Sequence, residues 1–345
     1  MRRALGRWGL VAGAAIILAA GLLLAREQLR AAMDEPSEAA SPVLLEVAPG
    51  TALRSVLFRL QRLGALRRAR LVELYLRLTA QQPRIQAGRY EIAAHATARQ
   101  IVQQLAAGRV LLASVTFVEG WSVAQMRHAL DADPDVSHQL AGLSDAQLMR
   151  ALGHPGEPAE GHFFPDTYRF AAGTSDRKIL TMAFDRMQQT LQQDWAHRAA
   201  GLPLRSPEQA LTLASIVEKE TARPDERPKV SAVFLNRIRL GMRLQSDPTV
   251  IYGLGERYDG SIHTRDLQTD TPYNTYTRAG LPPTPIALPS AASLQAALHP
   301  ADSQALYFVA SGEPDGSHRF SDTLAEQDVA LRAYLQHLKQ VHAQP

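Results

Sequence analysis

The sequence predicts an α+β protein with an N-terminal transmembrane helix, a small strand–helix–helix–strand unit and a larger mixed α+β domain. Three observations carry this. An uncharged run, Trp8–Ala25, opens the chain. A strand–helix–helix–strand order fills residues 43–92. Beyond residue 110, β-rich runs and capped amphipathic helices follow one another in no repeating order.

The boundaries expected are a cytoplasmic tail at 1–7, a membrane anchor at 8–25, a linker at 26–42, the small unit at 43–109 and the larger domain at 110–345. The apolar run would span about 27 Å as a helix, just enough to cross a bilayer. Arg2, Arg3 and Arg7 before it place the N-terminus in the cytoplasm and the rest of the chain outside, although Arg26 and Arg30 weaken that asymmetry. The competing reading is a signal peptide cleaved near Ala19–Gly21; the run is long for that. Residues 26–42 are polar, small and proline-bearing, as in a juxtamembrane linker.

In the small unit Val43–Val47 reads as a strand. Thr51 can cap a helix whose face is Leu53, Val56, Leu57 and Leu60, stopped by Gly64. "ARLVELYLRLTA" is a second helix, and "AGRYEI" returns as a strand by Ile92. Capping boxes at Thr97, Ser122 and Ser144 open three further helices. "VLLASVTFVEG" is β-rich, and 176–200 is helical. "SPEQ" sets Ser206 as N-cap and Pro207 at N1 of a helix that Pro224 ends. Its residues Ala210, Leu211, Leu213, Ala214, Ile216 and Val217 cover most of its circumference, so it is buried. A helix over "KVSAVFLNRIRLG" follows, then one capped by Asp247 with Pro248 at N1. "TPYNTYTRAGLPPTPIALP" is an apolar loop, "ALYFVAS" a strand, and a helix after Thr323 closes the chain.

Composition narrows the function. Apolar content of 46% and charged content of 21% are ordinary for a globular protein. A net charge of +3, without arginine runs interleaved with aromatics, argues against nucleic acid. Absence of cysteine removes disulfides, thiolate zinc sites and a cysteine nucleophile. The histidines have no metal-ligand spacing, and no GxSxG, Walker or GxGxxG motif is present. Lys219, the one candidate for a Schiff base, points away from its helix's apolar centre. Neither a metal nor a cofactor is expected.

Carboxylates remain. The buried helix ends in "IVEKET", with Glu218 and Glu220 around Lys219. A carboxyl in apolar surroundings can hold a proton near neutral pH and give it to a glycosidic oxygen. The plainer reading is a helix that emerges at the surface with solvated charges. Periodicity does not select between the two glutamates; Glu220 lies if anything nearer the apolar centre.

"FFPDTYRF", "LASIVEKET", "VFLNRIRLGMRLQSDPTVIYG" and "PYNTYTRAGLPPTPI", in this order along the chain, resemble the endolytic murein transglycosylase (YceG-like) family over almost the whole chain. The resemblance implies that 43–92 is a LysM-like glycan-binding subdomain and that Glu218 is the catalytic acid and base. It implies cleavage of the bond between N-acetylmuramic acid and N-acetylglucosamine in nascent strands, with 1,6-anhydro ends and no water consumed, and a role in ending strand elongation. Asn236, Gln245, Asp247, Thr249, Tyr273, Asn274 and Tyr276 become candidate substrate contacts. Asp247 could equally be a helix cap, Asn236 a loop pin, and the tyrosines core residues. Glu119 and Glu160 also match family positions and read as structural or cleft-lining. Implied partners are peptidoglycan strands, peptidoglycan synthases and the division or elongation machinery, with the active domain in the periplasm and the anchor in the inner membrane.

The chain departs from the family pattern at His162, where Tyr is commoner, at Thr284 and Leu288–Ser290 of the proline-rich loop, and at Gln327 and Asp328. Those departures are expected to alter the loop's shape and to leave the glutamate untouched. Two other functions compete: a non-catalytic LysM-like scaffold for the synthases, and a pyridoxal-phosphate lyase. The intact "IVEKET" argues against the first. Export and the lack of a convincing lysine argue against the second.

Overall fold

The computed structural model describes residues 2–48, 50–81 and 83–342, and side chains from residue 16 to residue 340 within these ranges. The chain divides into two compact units, residues 1–113 with 169–173, and residues 114–168 with 174–345. The sequence placed the first boundary at 109/110 and did not anticipate the return of 169–173.

The elements of the first stretch are α1 (Arg2–Asp34), β1 (Val43–Val47), α2 (Leu53–Arg62), α3 (Ala69–Leu78), β2 (Gly88–Ile92), α4 (Ala98–Ala106) and β3 (Leu112–Thr116). The expected strand–helix–helix–strand order is present. β1 and β2 pair antiparallel, with Val43 opposite Ile92 and Leu45 opposite Tyr90. Leu45, Val47, Tyr90 and Ile92 turn inward and Leu44, Glu46 and Glu91 outward, the period of two that one buried sheet face requires. Val56, Leu57 and Leu60 of α2, Val72 and Leu76 of α3, and Ile101 and Leu105 of α4 close this core.

Residues 26–42 are not a free linker. α1 continues to Asp34, buries Ala32 and Met33, and pairs Asp34 with Arg99 at 2.7 Å. Ser37 then donates its backbone N–H to Ala96. Thr51 does not cap α2: the N-cap is Ala52, and the Thr51 hydroxyl donates to the Ala48 carbonyl. Part of the expected membrane span, residues 8–15, has side chains outside the described residues. Among the described residues no helix is long and apolar enough to cross a membrane.

The second stretch contains α5 (Val123–Asp131), β4 (Val136–Ser137), α6 (Asp145–Leu152), β5 (Thr167–Ala171), β6 (Thr174–Ser175), α7 (Asp176–Ala196), α8 (Pro207–Glu220), α9 (Arg227–Arg239), α10 (Asp247–Leu254), α11 (Thr264–Gln268), α12 (Ala291–Leu298), β7 (Tyr307–Ala310), β8 (His318–Ser321) and α13 (Leu324–His342). α8 is its axis, buried along Ala210–Val217 and packed on α7, α9, α10 and α12. Its two buried hydroxyls are both satisfied. Thr212 donates to the Glu208 carbonyl, while Ser215 donates to the Thr212 carbonyl and accepts from the Ile286 N–H. The β7–β8 hairpin packs Phe308 edge-on against Phe234 of α9 at 5.9 Å.

Candidate active site

Ser206 caps α8 through the Gln209 N–H and Pro207 stands in its first turn, as the sequence predicts. The helix therefore delivers "EKE" to its last turn with a fixed phase, and the three side chains leave in different directions. Glu218 has 6% of its side chain exposed. Its Oε2 accepts from the Ser290 hydroxyl at 2.5 Å and from the Ser290 N–H at 2.9 Å, while Oε1 faces Arg227 Nη2 at 3.4 Å. Ser290 is the N-cap of α12 and its Oγ accepts from the Ser293 N–H at 3.2 Å. The hydroxyl proton is thus free to go to Glu218. The Glu218 carboxylate thereby stands at the N-terminus of α12, where unsatisfied N–H groups favour negative charge.

The expectation that the departures at Leu288–Ser290 leave the glutamate untouched is wrong. Ser290 touches it twice, because the loop after Pro285 runs back along α8 and starts α12 there.

Lys219 is exposed and donates to the Gly120 carbonyl at 3.2 Å. Gly120, at φ +76°, brings the "VEGWS" backbone against Glu218; a Cβ there would lie 3.8 Å from Glu218 Cγ. The Gly120 N–H donates to Leu288 O, and the Leu288 N–H donates to Trp121 O, which ties this loop to the approach to α12. Glu119 is exposed beside it.

Glu220 goes to α10 instead. Its Oε1 accepts from the Ser246 hydroxyl at 2.5 Å. Burial pushes this carboxyl up to about 7; the Asp247 charge adds to the rise, and Ser246 and the Arg237 charge oppose it. Burial also pushes Glu160 up to about 7, against hydrogen bonds from the Val123 N–H at 3.1 Å and the Tyr252 hydroxyl at 3.3 Å. Glu160 thus serves the N-terminus of α5.

The substrate candidates fall into two sets. Gln245, Asp247, Thr249 and Tyr276 meet around the start of α10. Gln245 is exposed in a left-handed conformation, φ +53°, uncommon for a side-chain-bearing residue. Its N–H donates to Thr275 O, and its Oε1 lies 3.4 Å from Arg237 Nη1. Asp247 is exposed and accepts from the Tyr276 hydroxyl at 2.6 Å. Asp247 is not the N-cap of α10; Ser246 holds that position and Asp247 begins the helix. Thr249 is buried, donating to Ser246 O and sharing a 2.8 Å hydrogen bond with Thr275.

Asn236, Asn274 and Tyr273 are elsewhere engaged. Asn236 donates to the Ser303 and Ala305 carbonyls and accepts from Arg239. Asn274 donates to the carbonyls of Asp266, Leu267 and Thr269 and accepts from the Tyr276 N–H, pinning the proline-rich loop. Tyr273 packs edge-on against Tyr252 at 4.7 Å and shares a hydrogen bond with Thr284. Among the described residues no cluster of three acidic or histidine side chains could hold a metal ion.

Sequence reasoning missed Arg227, Ser246 and Ser290. Only Ser290 left a usable signal: "PSAASLQAAL" puts a serine cap after a proline and before an apolar helical run.

An endolytic murein transglycosylase of Bacillus subtilis (strain 168) is 31% identical over 267 residues, covering 72% of this chain and 73% of that protein. One from Streptococcus pneumoniae serotype 2 is 31% identical over 156 residues, which are 44% of this chain and 28% of its own length. The crystal structure of a YceG-like protein of Listeria monocytogenes aligns with a TM-score of 0.54 at 27% identity, covering 84% of this chain and 98% of that one. The sequence pattern of the YceG-like family matches residues 45–333, and with these relatives it shows that the chain belongs to the YceG-like family.

Proposed function

We propose that this chain is a lytic transglycosylase of the cell envelope that cuts peptidoglycan glycan strands internally, with Glu218 as its acid and base. One observation carries the assignment: Glu218 is an almost enclosed carboxylate at the end of a buried helix, held by donors from α9 and from the start of α12. The names of its relatives supply the substrate class.

Two donors occupy Oε2, so Oε1 is the oxygen that exchanges protons with the sugar. Protonated, it gives its proton to the oxygen leaving from N-acetylmuramic acid. The substrate's acetamido group meets the charge developing at C1. The carboxylate then takes the proton of the muramoyl C6 hydroxyl, whose oxygen closes the 1,6-anhydro ring. One carboxyl serves both steps, so the carboxylate pair of a hydrolase is not required.

Gln245, Asp247 and Tyr276 are the candidate sugar contacts, while Asn236, Thr249, Tyr273 and Asn274 shape the loops that present them. Residues 43–92 act as a LysM-like glycan-binding subdomain. The uncharged run 8–25 anchors the chain in the inner membrane with the rest in the periplasm, beside the synthases and division or elongation machinery that make new strands.

The test is digestion of uncross-linked glycan strands by the full chain and by Glu218→Gln, with products weighed. Ends in 1,6-anhydro-muramic acid, lost in the variant, are expected. Reducing ends would mean hydrolysis and a second carboxyl, with Glu220 the first to examine. Binding without cleavage by the parent would replace the enzyme with a glycan-binding scaffold.

A further inference from the structure

The net charge of +3 conceals a strong asymmetry. Residues 26–113 carry thirteen arginines against seven carboxylates, a balance of +6, whereas 114–345 carry 21 basic and 27 acidic residues, a balance of −6. Such a split marks the basic part for an anionic partner.

α3 shows where that partner would sit. Leu74 is 45% exposed and Leu78 69% exposed, four residues apart on one face. Arg70, four residues before Leu74, extends this face. Tyr75, Leu78 and Thr79 line a cavity of about 450 Å³ with Leu22, Ala25, Arg26, Leu29 and Arg30 of α1. Arg26, Arg30 and Arg70 are exposed and have no ion-pair partner among the described residues, whereas Arg67, Arg68, Arg77 and Arg99 are paired to carboxylates. Bare leucine tips ringed by unpaired guanidiniums match the boundary between headgroups and acyl chains in an anionic bilayer.

Depth agrees with charge. Leu22 belongs to the last turn of the uncharged run, and the shared cavity sets Leu78 beside it. We propose that the C-terminal end of α3, together with residues 22–30 of α1, docks on the surface of an anionic membrane, with Leu74 and Leu78 entering the acyl boundary and Arg26, Arg30 and Arg70 on the lipid phosphates. This rests on the reading of 8–25 as an anchor. It turns a tether into a two-point attachment that fixes the first unit against the bilayer.

The chain has no cysteine, so Leu78→Cys and Leu18→Cys each give one labelling site in the full-length protein. Each is labelled with bimane and reconstituted into phosphatidylcholine vesicles with or without phosphatidylglycerol, containing a shallow doxyl-lipid quencher. Quenching is expected at both positions. At 78 it should fall by at least about fivefold without phosphatidylglycerol, since each arginine at the surface supplies a partition change of about that size. Quenching at 18 alone would overturn the docking and leave the anchor standing. Quenching at neither would overturn the anchor and the docking together. Equal quenching at 78 in neutral vesicles would overturn the role of the arginines. A label at 78 that is protected instead by an added soluble anionic glycopolymer, with no vesicles present, would assign the face to the wall.

Discussion

Ser290 Oγ lies 2.5 Å from Glu218 Oε2 and takes the Ser293 N–H on its own lone pair, so one hydroxyl both holds the candidate catalytic carboxylate and caps the helix behind it. Ser290→Ala removes this donor and keeps the backbone N–H. A hydrogen bond to a charged group contributes about 1.5–3 kcal/mol, so kcat/KM should drop by roughly 10- to 100-fold. Ser290→Thr restores the hydroxyl and should recover most of the rate. The rate of anhydro-end formation measures this, and parental turnover by Ser290→Ala would remove Ser290 from the site. Loss of the cap costs about 1 kcal/mol on its own, which a Tm reads separately.

Glu220 makes the fold sensitive to pH. Its pKa is raised from 4.5 to about 7 by burial, so the folded chain holds a proton there that the unfolded chain has released. The stability this gives is fully present below 4.5 and is lost as pH rises through about 7. Glu160 acts in the same direction and the same window. Glu220→Gln should therefore flatten, not abolish, the fall in Tm between pH 5 and pH 8. An unchanged slope would mean that Glu220 is solvated.

His162 reports on a second buried charge. Its Nδ1 faces the Glu160 carbonyl at 3.1 Å and its Nε2 faces Glu208 at 3.0 Å. Both partners are acceptors, so the arrangement requires protons on both nitrogens. Burial disfavours the charged ring, but the Glu208 bond and charge outweigh it and hold the pKa above 6.5. This contribution is present below 6.5 and lost as pH rises through the folded value. An NMR titration should place the His162 ring above 6.5, and Glu208→Gln should move its midpoint down. A midpoint that Glu208→Gln leaves in place would separate the two residues.

The sequence reveals α8 because its signals are local: a serine cap, a proline at the first turn and an apolar surface all lie within fourteen residues. What the last turn does is not local. Ser290 lies 72 residues from Glu218 and Ser246 lies 26 residues from Glu220, and no helical periodicity encodes those partners. The wheel left the two glutamates equivalent; tertiary contacts separate them, one at the start of α12 and one at the start of α10. The missed caps at Ala52 and Ser246 are one-residue slips: Thr51 has better cap chemistry than Ala52 and Asp247 is no better than Ser246, and in each case the residue with the extended backbone holds the cap. The linker reading of 26–42 failed because a short polar stretch reads the same whether free or packed, and only Ala32 and Met33 reach the core.

Gly161 offers a test of how tightly the loops around the site are coupled. It lies at φ +81°, and a Cβ built there would come within 2.3 Å of Pro285 Cβ and 2.6 Å of its Cγ. Pro285 precedes Ile286, whose N–H is bound by Ser215 of α8, so the ring has no rotamer to escape into and its backbone is pinned. Gly161→Ala must then meet both the left-handed backbone penalty and an overpacked contact, about 2–5 kcal/mol together. The expected outcome is a Tm lower by many degrees. Gly142→Ala, also at positive φ but with nothing within 4 Å of the added Cβ, should cost only the backbone share. Equal losses in the two variants would show that the Pro285 contact relaxes freely, and that the "EGH" and proline-rich loops move apart at little cost.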